Sequence, residues 1–218
     1  MPVFGVPFSR APLNLPALFG RTAPTILEIG FGMGDTTADI AASSPDCDFL
    51  AVDVHTPGIG ALLKLVQARG LTNVRIVEHD ARDVVDFQIP DNYLTGIHVF
   101  FPDPWPKARH HKRRLIQSQF VGKLATKLSL GGYLHLATDW PDYAEQMQDA
   151  VDSTALLGRL PAEAVLTAKA AAGSPTGGPA WPGLYRPTTR FERRGLALGH
   201  PIADIVAVRN DVPAHVTG

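Results

Sequence analysis

Cysteine is nearly absent: Cys47 is the only one in 218 residues. An intrachain disulfide and a cysteine-based metal cluster are therefore excluded. Long apolar runs are also missing, and no stretch reaches the roughly 20 consecutive apolar residues that a membrane helix needs. Near the N-terminus Pro2, Pro7, Pro12 and Pro16 interrupt the apolar residues. The charged-then-apolar layout of a secretory signal is not found there, so a cytoplasmic protein without membrane attachment is expected. Charged residues make up only 19%, and 20 Lys and Arg against 21 Asp and Glu leave a formal net charge of −1. Such a balance argues against a general nucleic-acid-coating protein. Hydrophobic residues make up 45%, ample for a core at a length that suits one α/β domain.

No internal repeat is found. Short apolar runs recur with helix-like stretches between them, the pattern of a parallel sheet with crossover helices. Strands are expected at Thr25–Ile29, Phe49–Val52, Val74–Val77, Gly96–Phe101, Tyr133–Ala137 and Ile205–Val208. They are rich in β-branched or aromatic residues and mostly lack polar alternation, as strands covered on both faces do. Helices are expected at Asp35–Ala42, Pro57–Arg69, Lys112–Leu128 and Pro141–Val151. Pro57 and Pro141 suit a first helical turn, and Gly70, Gly131 and Gly132 suit helix ends. The fold class is a doubly wound, mostly parallel, Rossmann-like α/β sheet. The chain reads as one domain over 1–218, with an N-terminal segment at 1–22 and a mobile surface loop at 168–184, where Ala, Ser, Gly and Pro accumulate.

The first strand runs into Glu28-Ile29-Gly30-Phe31-Gly32-Met33-Gly34-Asp35 and then a helix. Glycines at a strand-to-helix turn let the backbone pass close to a ligand at the helix start. The same pattern also serves a plain tight turn. A dinucleotide fingerprint would place its third glycine at Asp35. An acid there repels a pyrophosphate but tolerates a ligand carrying an ammonium group, and Glu28 suits a cationic ligand too. S-adenosylmethionine, a zwitterionic amino acid joined to adenosine through a sulfonium, has that chemistry. Asp53 ends the second strand, where an acid can accept from both ribose hydroxyls, and Asp80 follows the third, in reach of an adenine amino group. Any one of these acids is ordinarily a cap or surface residue. Three of them at successive strand ends beside a glycine loop make a nucleoside site.

The fourth strand leads into Phe101-Pro102-Asp103-Pro104-Trp105-Pro106-Lys107. Its prolines stiffen the backbone and favour extended conformations at Asp103 and Trp105, so the Asp103 carboxylate can be presented at small entropic cost. The alternative is a rigid surface turn with a tucked-in tryptophan. Lys107, Arg109, Lys112, Arg113 and Arg114 then crowd one window with His110 and His111, without an intervening acid. Basic charge opening a helix opposes the helix dipole, a cost that phosphate contacts would offset; a solvated charged face is the plainer reading. The adjacent histidines lack metal spacing, and no metal is expected. Ala137-Thr138-Asp139-Trp140 ends the fifth strand, where Asp139 could instead cap the next helix. In the later run from Arg186 to Gly195, Glu192 could simply pair with an arginine.

These segments resemble the bacterial tRNA (guanine-N7)-methyltransferase family, from about Leu13 to Asp204. The most specific matches are Phe101 to Lys107 with the following Arg-His-His-Lys-Arg-Arg, Ala137 to Trp140, and Thr189-Arg190-Phe191-Glu192-Arg193-Arg194-Gly195. The resemblance implies a class I methyltransferase fold and S-adenosylmethionine as cofactor. The implied substrate is tRNA, methylated at N7 of variable-loop guanosine-46. It implies that Glu28, Gly30, Gly32, Gly34, Asp53, Asp80 and Asp103 line the cofactor site, with Asp103 also the catalytic acid. Lys107, Asp139, Thr189, Arg190, Phe191 and Glu192 would face the substrate, and Arg109, His110, His111, Lys112, Arg113 and Arg114 the RNA.

Two departures stand out. Asp53 replaces the family's glutamate. Many relatives also carry a basic arm before the first strand, whereas only Arg10 and Arg21 are basic before Glu28 here. Either the natural start lies upstream, or RNA affinity rests on the two internal basic segments. The competing readings are an exocyclic-amine methyltransferase, from the loose likeness of Asp103-Pro104-Trp105 to that class, and a non-catalytic RNA-binding protein retaining the cofactor fold. A dinucleotide oxidoreductase ranks last. Monomer and homodimer both remain open.

Overall fold

The computed structural model describes residues 4–165, 181–184, 186–188, 192, 199 and 201–211. Its strands are β1 (Thr25–Ile29), β2 (Asp48–Asp53), β3 (Val74–Glu78), β4 (Leu94–Phe100), β5 (Leu128–Thr138), β6 (Leu157–Arg159) and β7 (Ala203–Arg209). They form one seven-stranded sheet in the order β3-β2-β1-β4-β5-β7-β6. The first five are parallel, whereas β7 runs antiparallel between β5 and β6. The helices are α1 (Leu15–Phe19), α2 (Asp35–Ser43), α3 (Thr56–Ala68), α4 (Ala81–Asp83), α5 (Ser118–Lys127) and α6 (Pro141–Asp152). One π-turn, Val84–Gln88, continues α4. Among the described residues no helix is long and apolar enough to cross a membrane.

Strands covered on both faces explain the missing polar alternation: all five residues of β1 are buried. On one face Leu27, Ile29, Leu50, Val52, Val99 and Leu136 pack with Leu124 of α5 and Met147 of α6. On the other, Ile26, Phe49, Ala51 and Ile76 pack with Ile40 of α2 and Leu62 of α3. Each large aliphatic side chain fully withdrawn from water contributes about 1.5–3 kcal/mol before entropy is set against it. Beyond β3, Val6 N donates to Ile76 O and Ile76 N to Phe4 O, both at 2.8 Å, so the N-terminal segment covers that edge.

Several element expectations change. The basic run does not open a helix; Ala108–Arg113 is a separate 3-10 turn, and α5 begins only at Ser118. Hydrogen bonds off the helical path hold this run: the Gln117 side-chain amide donates to His111 O at 2.9 Å, and the Arg114 guanidinium reaches α6 at Gln146 Oε1 (2.7 Å) and Asp142 Oδ2 (2.6 Å). The dipole penalty on α5 therefore does not arise. Gly131 and Gly132 lie inside β5 rather than at a helix end. Neither α1 nor β6 was expected, and both are short. Of the stretch expected to be a mobile loop, residues 168–180 lie outside the described residues. Trp181 to Leu184 are packed: Leu184 is buried, and Trp181 Nε1 donates to Gly131 O at 3.1 Å.

The glycine turn after β1 is wedged by α3. Gly34, at φ +82°, starts α2, and a Cβ there would lie 2.6 Å from Leu62 Cβ. A Cβ on Gly58 would lie 1.9 Å from Gly32 O. A Cβ on Gly60, two residues on, meets nothing within 4 Å. Gly58→Ala is therefore expected to destabilise by about 1–3 kcal/mol, as overpacking does. Gly60→Ala should stabilise by up to about 1 kcal/mol through helix propensity. Chemical denaturation of the two variants checks the contrast; equal midpoints would contradict it.

Candidate active site

Parallel pairing sets Ile29 opposite both Val52 and Val99, Val52 opposite Val77, and Val99 opposite Leu136. Five strands therefore reach one edge of the sheet together. The residues just beyond that row carry the candidate site: the glycine turn, Asp53, Asp80, Asp103 and Asp139. In open α/β sheets ligands bind outside these carboxyl ends.

Glu28 stands one residue inside the edge, 3% exposed, on the face that packs α2. Burial raises its carboxyl to about 7; the Thr37 hydroxyl pulls it down and the Asp53 carboxylate pushes it up. Its Oε2 is buried without a hydrogen-bond partner, an expensive arrangement unless a donor arrives from elsewhere. The turn itself leaves space: Gly30 and Gly32 have positive φ, and a Cβ on either would meet nothing within 4 Å.

Asp53 latches this turn. Its Oδ2 accepts from Gly32 N at 2.8 Å, and its Oδ1 accepts from Val54 N at 2.7 Å and His55 N at 3.0 Å. A carboxylate offers about four lone-pair sites, so this arrangement leaves room for one further donor, on Oδ2, rather than the two expected from a ribose. Asp80 is the N-cap of α4 and accepts from Arg82 N at 2.8 Å. It is exposed at the same edge.

Asp103 is exposed, and its carboxylate has no hydrogen-bond partner among the described residues. The turn presenting it is unusual: Phe101 has φ +51° and Trp105 φ +42°. Trp105 was expected to be extended before Pro106; instead it adopts the left-handed region, which costs a bulky residue on the order of 1–3 kcal/mol. Its ring is held by the Arg113 guanidinium at 5.1 Å and by the edge of His110 at 5.9 Å.

Lys107, Arg109, Lys112 and Arg113 are exposed, and His110 and His111 are half-buried. Arg114, expected among the RNA contacts, has a fully buried side chain and no surface to offer a phosphate. It donates to Pro104 O at 2.8 Å, Gln146 Oε1 at 2.7 Å and Asp142 Oδ2 at 2.6 Å. The basic run thus splits into an outward arc and one inward anchor, which ties the proline turn to α6. Hydrogen bonding to Arg114 lowers the exposed Asp142 carboxyl.

Asp139 is half-buried and does not cap α6, whose N-cap Trp140 makes no side-chain capping bond. Glu192 accepts from the buried Arg186, which also grips Asp204. Thr189, Arg190 and Phe191 lie outside the described residues. Nothing in the sequence pattern assigned roles to Arg186, Asp204, His135 or Gly58; each acquires its place through strand register or helix packing. Among the described residues no group of three His, Cys, Asp or Glu could hold a metal ion.

Known proteins share this arrangement. Residues 22–205 match the family described as putative methyltransferase. A rRNA methylase from Streptococcus thermophilus superposes with a TM-score of 0.54 at 11% identity, covering 87% of this chain and 88% of that one. An antibiotic-related methyltransferase gives 0.51 at 16% identity, over 89% and 90%. At such identities the fold alone is shared, and it is the class I methyltransferase fold. Sequence relatives reach further. The tRNA (guanine-N(7)-)-methyltransferase of Nitrosomonas eutropha is 53% identical over 94% of this chain and 85% of its own length. That of Ralstonia nicotianae is 54% identical over 94% and 76%. With identity above one half over 94% of its length, the chain belongs to the tRNA (guanine-N(7)-)-methyltransferase family.

Proposed function

We propose that the chain methylates N7 of a tRNA variable-loop guanine, guanosine-46, with Asp103 as the central catalytic carboxylate. The donor is S-adenosylmethionine. The observation that carries the reading is the unpartnered, fully buried Glu28 oxygen beside an open glycine turn, on the sheet edge that also presents Asp53, Asp80 and Asp103. A buried acceptor of this kind fits a ligand bringing an ammonium group, and the residues present fit this cofactor. Glu28 with Gly30, Gly32 and Gly34 would hold its amino-acid end, Asp53 its ribose and Asp80 its adenine.

The cofactor supplies an electrophilic methyl group on a sulfonium sulfur. Guanine N7 already has an exposed lone pair, so no base need remove a proton before attack. The chain's contribution is to align the purine and meet the charge it acquires. Asp103 would do both, since a carboxylate can accept from the guanine N1 and N2 donors while facing a ring that becomes cationic. Asp139, Lys107, Thr189, Arg190, Phe191 and Glu192 complete the substrate side. Arg109 to Arg113 form the phosphate-binding arc, and Arg114 holds that arc in place from within. A monomeric or dimeric cytoplasmic enzyme is consistent with this assignment.

Asp103→Ala should leave folding intact, because the side chain is exposed, and lower the single-turnover rate by about 10²–10³, the scale of a lost charge-stabilising group. A near-native rate with labelled cofactor would exclude the catalytic role. Arg109→Ala should weaken tRNA binding and reduce the slope of log affinity against log salt by about one; filter binding across a salt series reads this directly, and an unchanged slope would remove Arg109 from the phosphate contacts. For Glu28 the sign follows from a carboxyl raised from 4.5 to about 7. Below 4.5 it is protonated folded and unfolded; between 4.5 and about 7 only the unfolded chain releases the proton, so stability falls across that window, and the loss is complete above about 7, where the folded chain buries the charge. Glu28→Gln should therefore melt higher than the native chain at about pH 8, by up to roughly 3 kcal/mol, with the advantage gone near pH 4.5. The same variant should bind the cofactor more weakly at the higher pH. A stability difference independent of pH would show that Glu28 does not titrate in this range.

A further inference from the structure

On the far side of the strand-end row from Glu28, one buried arginine joins Glu192 to Asp204 of β7. Arg186 is 6% exposed. Its Nε donates to Asp204 Oδ1 at 3.0 Å and its Nη2 to Asp204 Oδ2 at 2.9 Å, a fork on a carboxylate. Its Nη1 donates to Glu192 Oε2. The guanidinium also lies over two rings, 5.9 Å from the centroid of Phe100 and 5.5 Å from that of Phe101. Asp204 is itself fixed by His135 Nε2 at 2.8 Å.

Register shows why these groups meet. Phe100 is opposite Ala137 across β4 and β5, and Ala137 is opposite Asp204 across β5 and β7. Phe101 N donates to Ala137 O at 2.8 Å, extending the row into the proline turn. Arg186 spans this row. Burial alone would lower the Arg186 guanidinium, but Asp204 and Glu192 more than offset it and keep the group cationic. Burial alone would raise the Asp204 carboxyl, yet hydrogen bonds from His135 and Arg186 hold it well below the usual carboxylate range.

A buried ion pair is weak evidence for stability, because apolar residues of similar volume often do as well. What apolar residues could not do is orient a carboxylate. Beyond Asp204, the guanidinium touches Glu192 and Phe101, and Phe101 stands in the left-handed region two residues before Asp103. We propose that Arg186 is a positioning residue for methyl transfer, holding Glu192 and the Phe101–Asp103 turn in one geometry so that two substrate-side carboxylates are presented together. The inference rests on the roles given above to Asp103 and Glu192. A guanidinium plane suits this role, since its fork fixes the carboxylate while its face lies over the rings, whereas a lysine ammonium is a point charge that cannot make the fork.

The test compares Arg186→Gln, Arg186→Lys, Glu192→Gln and the Arg186→Gln/Glu192→Gln pair in single-turnover methylation of an unmodified tRNA transcript, with cofactor affinity measured by calorimetry. Misplacement of reacting groups by about an ångström can cost about a hundredfold, and that is the loss expected for Arg186→Gln. Cofactor affinity should stay within about threefold, since the loss falls on the transition state and not on cofactor binding. Arg186→Lys should recover less than about a tenth of the rate, for want of the fork. The double variant should lose less than the product of the two single losses, because part of the arginine's effect passes through Glu192. A full rate in Arg186→Gln beside a slow Glu192→Gln would overturn the positioning role and leave the site reading standing. Full rates in both Glu192→Gln and Asp103→Ala would instead overturn the site reading on which it rests. Parallel loss of rate and cofactor affinity in both arginine variants would make Arg186 purely structural and overturn the proposal, as would additive losses in the double variant.

Discussion

The pairing of Ile29, Val52, Val77, Val99 and Leu136 in one row of parallel strands is the constraint on which the chemistry depends. In a parallel sheet every connection must cross back over a face, so the strand ends that meet at one edge come from segments far apart in sequence. The chain uses this to gather a glycine turn and four aspartates without placing any of them in a long flexible loop. A slip of one residue in any pair would send its side chains to the opposite face and bury the acids in an apolar layer. The apolar rows on both faces, by fixing register, also fix the site.

The two faces are not alike. One is largely apolar, with Arg75 and Asp48 buried toward its rim, and takes α1, α5 and α6. The other carries a polar seam: Glu28 lies opposite His98, and His98 opposite His135. His98 Nε2 meets the Tyr133 hydroxyl at 2.8 Å, and the Tyr133 hydroxyl meets Pro182 O at 3.2 Å. Burial, together with His135, lowers His98 well below its ordinary value, so it is neutral, and burial raises Tyr133 well above its own. Neutral groups sealed between two candidate charge centres, Glu28 and the Arg186–Asp204 pair, keep solvent from screening either. Electrostatic interactions at the edge are correspondingly stronger than they would be in water.

How much of this could be seen in the sequence follows from the range of the forces involved. The β-branched strands, Pro57 and Pro141 at helix starts, and the strand-end acids are local patterns, and the structure places each at its expected element. The basic run after Lys107 misled because Lys and Arg are good helix formers, while the bonds that draw it off the helical path, from Arg114 to Gln146 and Asp142, are tertiary. Arg114 and Arg113 are neighbours with opposite fates, one buried and one exposed, and composition cannot separate them. Arg186 takes its role from Asp204, 18 residues away, through a strand register that no window of sequence contains. Gly58 reads as an ordinary helical glycine until Gly32 O is set beside it.

The late insertion of β7 has a consequence for the order in which the chain becomes competent. Among the described residues β6 pairs only with β7, and β7 lies between β5 and β6. The strands from β1 to β5 are therefore all synthesised while the C-terminal segment is still to emerge from the ribosome, at about 5–20 residues per second. The nucleoside half of the edge is then built before Arg186 and Asp204 exist. Until β7 is threaded into place, β5 presents an open antiparallel edge of the kind that captures foreign strands. The strand that completes the substrate side is thus also the one that closes the molecule to aggregation, so a nascent chain becomes safe and active in the same step.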